Sequence, residues 1–305
     1  MAAIRPPLPA AFPKENTVTE CLSHVIPASA TGVLAEGLTF PECPRWHGRA
    51  LYCVDGPHIL RIRPDGGGHA IFATLPTPMV LGLCFEADGS LLAVAAKDRI
   101  VWRIAADGVA APWADLSGVT AHPLNEIIAL PDGAGWLVGG MGFDPARGET
   151  PAATRLIHLR PDLSAAMVGP EVVFPNGMGW IAPDRLLVAE SFAARLSVVA
   201  YCGQGQLGAR QTLCDVAGEG GHPDGLWAMG DGTAWYADAW LGTLARIDAA
   251  GRRLAVLRLP YPHALACCPD ATGTRLFVAA SAMMPGPDRD FAGKGAILAI
   301  DLTAL

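Results

Sequence analysis

Apolar and polar positions along the chain fall into a rhythm of short apolar runs separated by tight polar turns, and the rhythm repeats six times. The runs at 50–55, 91–95, 135–139, 186–189, 234–238 and 276–280 each follow a turn signal. These signals are Asp88-Gly89, Asp132-Gly133 and Asp231-Gly232, with His47-Gly48, Pro183-Asp184 and Pro269-Asp270 in the matching places. Asp-Gly supplies the positive φ that primed two-residue hairpins demand. A further run follows every time, at 59–62, 100–104, 155–159, 195–199, 243–247 and 296–300. These alternate or run apolar throughout, as strands buried between sheets do.

Ahead of each hairpin stands one residue at an equivalent index: Glu42, Leu81, Asn125, Asn176, Asp224 and His263, spaced by 39, 44, 51, 48 and 39 residues. A period near about 40–45 residues belongs to four-stranded propeller blades. The expected fold is therefore an all-β, six-bladed β-propeller of four-stranded antiparallel blades, with the six indexed residues converging on a common axis. The sixth repeat stops after its third strand. Its outer strand is expected from the N-terminal side, around 31–34, which closes the ring and removes a free sheet edge. Residues 1–22 are expected to be an N-terminal extension and 23–305 one propeller domain.

Composition narrows what such a fold serves. Half the chain is apolar (51%), and the formal charge of -7 comes without any basic run, which argues against a nucleic-acid backbone as partner. Residues 1–27 hold five prolines and no apolar core of a signal peptide, and no apolar stretch is long enough to span a membrane. The expectation is a cytoplasmic protein with no membrane partner, its eight cysteines reduced and packed as small hydrophobes. Oligomeric state is not legible.

The indexed residues carry the chemistry. Leu81 is an ordinary tunnel wall, but Glu42 and Asp224 brought together repel unless a cation sits between them. Glu, Asp and Asn offer hard oxygens, which suit one divalent cation: Ca²⁺ first, with Mg²⁺, Mn²⁺ or Zn²⁺ as alternatives. The loops that leave each second strand should flank that point, and they bring Met141, Phe143, Phe192, Trp240, Met283 and Met284. An apolar lining with a few fixed polar groups is the usual make-up of a small-molecule site.

Three motifs carry a resemblance. Pro41-Glu42-Cys43-Pro44-Arg45-Trp46, Pro175-Asn176-Gly177-Met178 and Pro223-Asp224-Gly225-Leu226 resemble the Glu, Asn and Asp motifs of the senescence marker protein, gluconolactonase and luciferin-regenerating enzyme family, over about 31–302. The resemblance implies a six-bladed propeller of lactone hydrolases with one divalent cation held by Glu42, Asn176 and Asp224. The Glu motif departs from the family at Pro41, usually Gly, and at Cys43, usually Gly or Ser. In the third blade the family's Arg-x-Asn-Asp becomes Pro123-Leu124-Asn125-Glu126. Asn125 carries over as a donor to the substrate, whereas Pro123 replaces the Arg that helps hold a sugar hydroxyl.

The expected activity is thus metal-dependent hydrolysis of a lactone or similar ester, hydrophobic or aromatic rather than a sugar lactone, since a sugar's hydroxyls need partners that Pro123 cannot supply. Asp224 is the catalytic candidate, as general base or as ligand and orienter. Asn125, Met141, Phe143, Trp240 and His263 are the expected substrate contacts. Alternatives are another reaction on the same metal propeller, such as phosphotriester hydrolysis, isomerisation or elimination, or a non-catalytic ligand-binding propeller. No Gly-x-Ser-x-Gly or His-Glu-x-x-His motif supports a serine hydrolase or zincin.

Overall fold

The apolar runs that follow the turns fold as second and third strands of antiparallel sheets. The computed structural model describes residues 23–25, 30–284 and 290–305, and these form six sheets. The innermost strands are Pro41–His47, Val80–Phe85, Leu124–Ala129, Pro175–Ala182, Pro223–Ala228 and His263–Pro269. Each packs against the next, and the sixth returns to the first, so the blades form a closed ring. The second strands fall where the pattern placed them, for instance Ala50–Asp55, Leu91–Ala95 and Ala234–Asp238. Gly89, Gly133 and Gly232 take the positive φ their turns require, at 83, 73 and 80°.

The ring closes as expected, with a longer strand than the sequence suggested. Thr31–Leu38 pairs antiparallel with Gly295–Asp301, Thr31 facing Ile300 and Leu38 facing Gly295. A strand not foreseen, Ser23–Val25, runs parallel along the outer edge of Arg253–Arg258 in the fifth blade. The expected extension at 1–22 lies outside the described residues.

Apolar residues pack between neighbouring blades rather than in one central ball. Tyr52, Val54 and Ile59 of blade 1 meet Leu83, Leu91 and Ile104 of blade 2, and Ala237 and Leu244 of blade 5 meet Leu276 and Val278 of blade 6. Full burial of such a Leu or Ile contributes about 1.5–3 kcal/mol. Cys43, Cys53, Cys214, Cys267 and Cys268 are buried free thiols. Burial pushes the half-buried Cys84 thiol up to about 11, so it stays protonated at neutral pH. Among the described residues no helix is long and apolar enough to cross a membrane.

Candidate functional site

A β-bulge sits at the start of every innermost strand, and it decides where the indexed side chains go. In blade 3 Leu124 faces Gly140 and Ile127 faces Val138, so one extra residue is accommodated around Asn125. Blades 2, 4 and 5 break register identically, at Val80/Leu83, Pro175/Met178 and Pro223/Leu226, around Leu81, Asn176 and Asp224. In blade 1 the break follows Glu42, where Cys43 takes φ 49°, and in blade 6 it follows Ala264, one residue past His263. A bulge bends its strand and re-aims a side chain that strict alternation would bury between the sheets. Glycine follows the indexed residue in blades 2, 4 and 5, as Gly82, Gly177 and Gly225. A Cβ on Gly177 would lie 2.3 Å from the Leu226 nitrogen, and one on Gly225 would lie 2.3 Å from the Ala266 Cβ, so both glycines let adjacent inner strands approach closely.

Glu42 and Asp224 are brought within each other's field although 182 positions separate them in the chain. Burial pushes the Glu42 carboxyl up to about 8, with Glu126 adding to the rise while the Cys43 N–H and Arg45 oppose it. Asp224, 5% exposed, is held well above the carboxylate range by burial first, then by Glu42 and Asp238. Its Oδ1 is fully buried and has no hydrogen-bond partner. Among the described residues neither carboxyl has an ion-pair partner, Arg45 acting on Glu42 only through its field, and a buried acceptor left unpaired costs about 1–3 kcal/mol.

Asn176 is oriented by a residue the sequence reading did not single out. Ser191 Oγ donates to the Pro223 carbonyl at 2.7 Å, so its oxygen accepts from Asn176 Nδ2 at 3.3 Å. A carbonyl only accepts, which fixes the direction of both bonds. The amide nitrogen gives one hydrogen to Ser191 and also bonds the Asp224 carboxyl, which opposes part of the rise that burial causes there, and Oδ1 is the end of the amide that can only accept. Asn125, 6% exposed, directs Nδ2 toward the Pro175 carbonyl at 3.5 Å. His263 donates Nδ1–H to the Ala239 carbonyl at 2.7 Å, which leaves Nε2 as its free nitrogen. His222, also unforeseen, does the same to the Ser191 carbonyl at 2.9 Å.

An apolar wall stands beside this polar ring. Met141, Phe143 and Phe174 form a buried cluster against which Leu81 and Phe192 pack. Phe192 lies edge-on to Phe143 at 5.2 Å and to Trp240 at 6.3 Å, and Trp240 leans on His222 at 4.3 Å. Met141 and Phe143 thus back the wall, being 8% and 2% exposed, whereas Trp240 is 48% exposed and presents an open face. Met284 packs instead with the blade 1 and blade 6 cluster. Further along the tunnel Arg45 and Glu126 form an ion pair at 2.7 Å. The described residues contain no group of three or more His, Cys, Asp or Glu side chains placed to hold a metal, so the candidate set rests on carboxamides as well as carboxylates.

Residues 40–282 match the family described as the SMP-30/gluconolactonase/LRE-like region. The chain belongs to the SMP-30/gluconolactonase/LRE-like family. Within known proteins it is 29% identical over 240 residues to a pentonolactonase of Haloferax volcanii, covering 76% of this chain and 78% of that one. Among solved structures it is similar to a calcium-binding protein, regucalcin, from Agrobacterium tumefaciens, with a TM-score of 0.75 at 21% identity over 92% of this chain and 95% of the other. A gluconolactonase from Xanthomonas campestris aligns with a TM-score of 0.72 at 22% identity, again over 92% and 95%. These structural likenesses speak for the fold, and the match over residues 40–282 speaks for the family.

Proposed function

We propose that this protein is a divalent-cation-dependent lactonase whose substrate carries an apolar or aromatic body. The observation that carries the reading is Asp224, a buried carboxylate with an unpartnered oxygen, set beside Glu42. The donor set fits a hard divalent cation by its chemistry: the carboxylates of Glu42 and Asp224, with the amide oxygen of Asn176 beside them. Calcium is the first choice, in keeping with the description of the Agrobacterium regucalcin as calcium-binding. When bound, the cation supplies Lewis-acid polarisation of an ester carbonyl.

The chain's own residues do the rest. Asp224 orients the attacking water, and it takes the water's proton to the extent that its basicity survives ligation. Asn125 offers an amide N–H to the substrate's acyl oxygen. His263, its tautomer fixed by Ala239, presents Nε2 to the alkoxide leaving group or to the water. Water adds at the acyl carbon, the ring C–O bond breaks, and the product is a hydroxy acid. The names of the Haloferax and Xanthomonas relatives support lactone chemistry. Pro123 in place of a sugar-binding arginine, with the Phe192 and Trp240 wall, supports an apolar ring as substrate.

Calorimetric titration of EDTA-stripped protein with Ca²⁺ and Mn²⁺, beside a pH-indicator assay over sugar, aliphatic and aromatic lactones, tests both halves. Asp224→Ala should lose the cation and about 10²–10⁴-fold in turnover. An Asp224→Ala protein that binds one equivalent and hydrolyses normally ends the site assignment. Faster turnover of a sugar lactone than of an aromatic one ends the apolar-substrate assignment alone.

A further inference from the structure

Arg45 is the basic side chain whose field reaches Glu42, and it follows Glu42 by three positions on the same strand. A guanidinium so placed is the natural counter-charge for Glu42, yet its hydrogen bonds go elsewhere. Nη2 bonds Glu126 Oε2 at 2.7 Å, Nε the Leu83 carbonyl at 2.9 Å and Nη1 the Pro44 carbonyl at 3.0 Å. The guanidinium lies 5.6 Å over the Trp227 ring. Glu126 is itself pinned, since Oε1 accepts the Ile127 N–H at 2.9 Å and Cys43 Sγ lies 3.6 Å away. Both partners are nearly buried, with side chains 13% and 8% exposed.

We propose that Glu126 is a positioning residue that withholds Arg45 from Glu42, so that Glu42 and Asp224 remain unneutralised and open to a divalent cation. Removing one partner of a buried ion pair leaves an uncompensated charge that seeks another partner. For an Arg45 released from Glu126 that partner is Glu42, and a Glu42–Arg45 pair competes directly with a cation. The inference rests on the cation site proposed above, and its distinguishing feature is rescue: if Glu126 acts through Arg45, deleting Arg45 as well should undo the damage.

The test is calorimetric titration of EDTA-stripped wild type, Glu126→Gln, Arg45→Met and the double variant with Ca²⁺ and Mn²⁺, with thermal melts to verify folding. Glu126→Gln should bind about tenfold more weakly or worse, Arg45→Met as tightly as wild type or tighter, and the double variant within about threefold of wild type. Unchanged binding by Glu126→Gln, or a double variant as weak as Glu126→Gln, overturns the proposal while leaving the cation site intact. Should Glu126→Gln fail to fold, Arg45→Met decides: retained or tighter binding supports restraint, and a tenfold loss overturns it. A wild type that binds neither ion sinks the cation site itself.

Discussion

Ser191 ties one member of the candidate cation site, Asn176, to the backbone of the neighbouring blade at Pro223. Its hydroxyl hydrogen is committed to the Pro223 carbonyl, and its oxygen therefore accepts from Asn176 and sets that amide's orientation. In Ser191→Ala the Asn176 amide loses its reference and Pro223 loses a donor. We expect a loss of about 1–2 kcal/mol in urea unfolding, together with a cation affinity lowered about five- to tenfold as the amide turns. Calorimetry separates the effects, and weaker folding with unchanged affinity would confine Ser191 to packing. The indexed residues were legible because recurrence exposes them: Glu42, Asn125, Asn176, Asp224 and His263 hold the same place in five of the six repeats, with Leu81 in the other. Ser191 was not, since its partners lie 15 and 32 residues away, nor was the Arg45–Glu126 pair, 81 residues apart. Such contacts are consequences of the ring and leave no local pattern.

At the scale of the element, the strands were readable and their bulges were not. Alternation and Asp-Gly turns announce a hairpin, but a bulge is a relation between two strands and adds only one residue to a run of similar ones. Blade 4 adds a second device of this kind. Glu190, fully buried at the end of Arg185–Glu190, accepts from Arg195 at 2.9 and 2.8 Å, from Arg210 at 3.1 Å, from Ser197, and from the Val173 N–H at 2.8 Å. It thereby ties the second, third and fourth strands to the segment entering the innermost one. Burial pushes its carboxyl up, but the bonds from Arg195, Ser197 and Val173 outweigh that and hold it below its ordinary value. A carboxylate depressed in the fold stabilises above its unfolded pKa, and that stabilisation is lost as pH falls through the folded value. Urea midpoints taken from neutral to acid pH should fall more steeply for wild type than for Glu190→Gln. The variant should start about 3 kcal/mol less stable at pH 7, with the gap narrowing in acid. Parallel curves would show that Glu190 does not titrate across folding.

The whole molecule depends on a seam, and the seam lies beside the site. Glu42 belongs to blade 1 and Asp224 to blade 5, with blade 6 between them. Blade 6 takes its outer strand from the other end of the chain, through the pairing of Thr31–Leu38 with Gly295–Asp301. That strand leads straight into Glu42. Thr39 and Phe40 donate their N–H groups to Asp55 Oδ1 at 2.8 and 2.7 Å, and Pro41 then begins the innermost strand of blade 1. A chain beginning at residue 39 loses the burial of Leu34 and Leu38, about 1.5–3 kcal/mol each, and exposes the Gly295–Asp301 edge to other chains. It should unfold at a lower urea concentration, self-associate, and bind Ca²⁺ more weakly, because the register of Glu42 is no longer held from the seam. A chain beginning at residue 23 keeps the seam and should match the full chain in urea midpoint and cation affinity. Equal midpoints for the chains beginning at 39 and at 23 would show that the ring is held by its blade interfaces alone. If only the seam-deleted chain loses both stability and affinity, closing the ring and building the cation site are one event, since the blade that the N-terminal strand completes stands between the blades of Glu42 and Asp224.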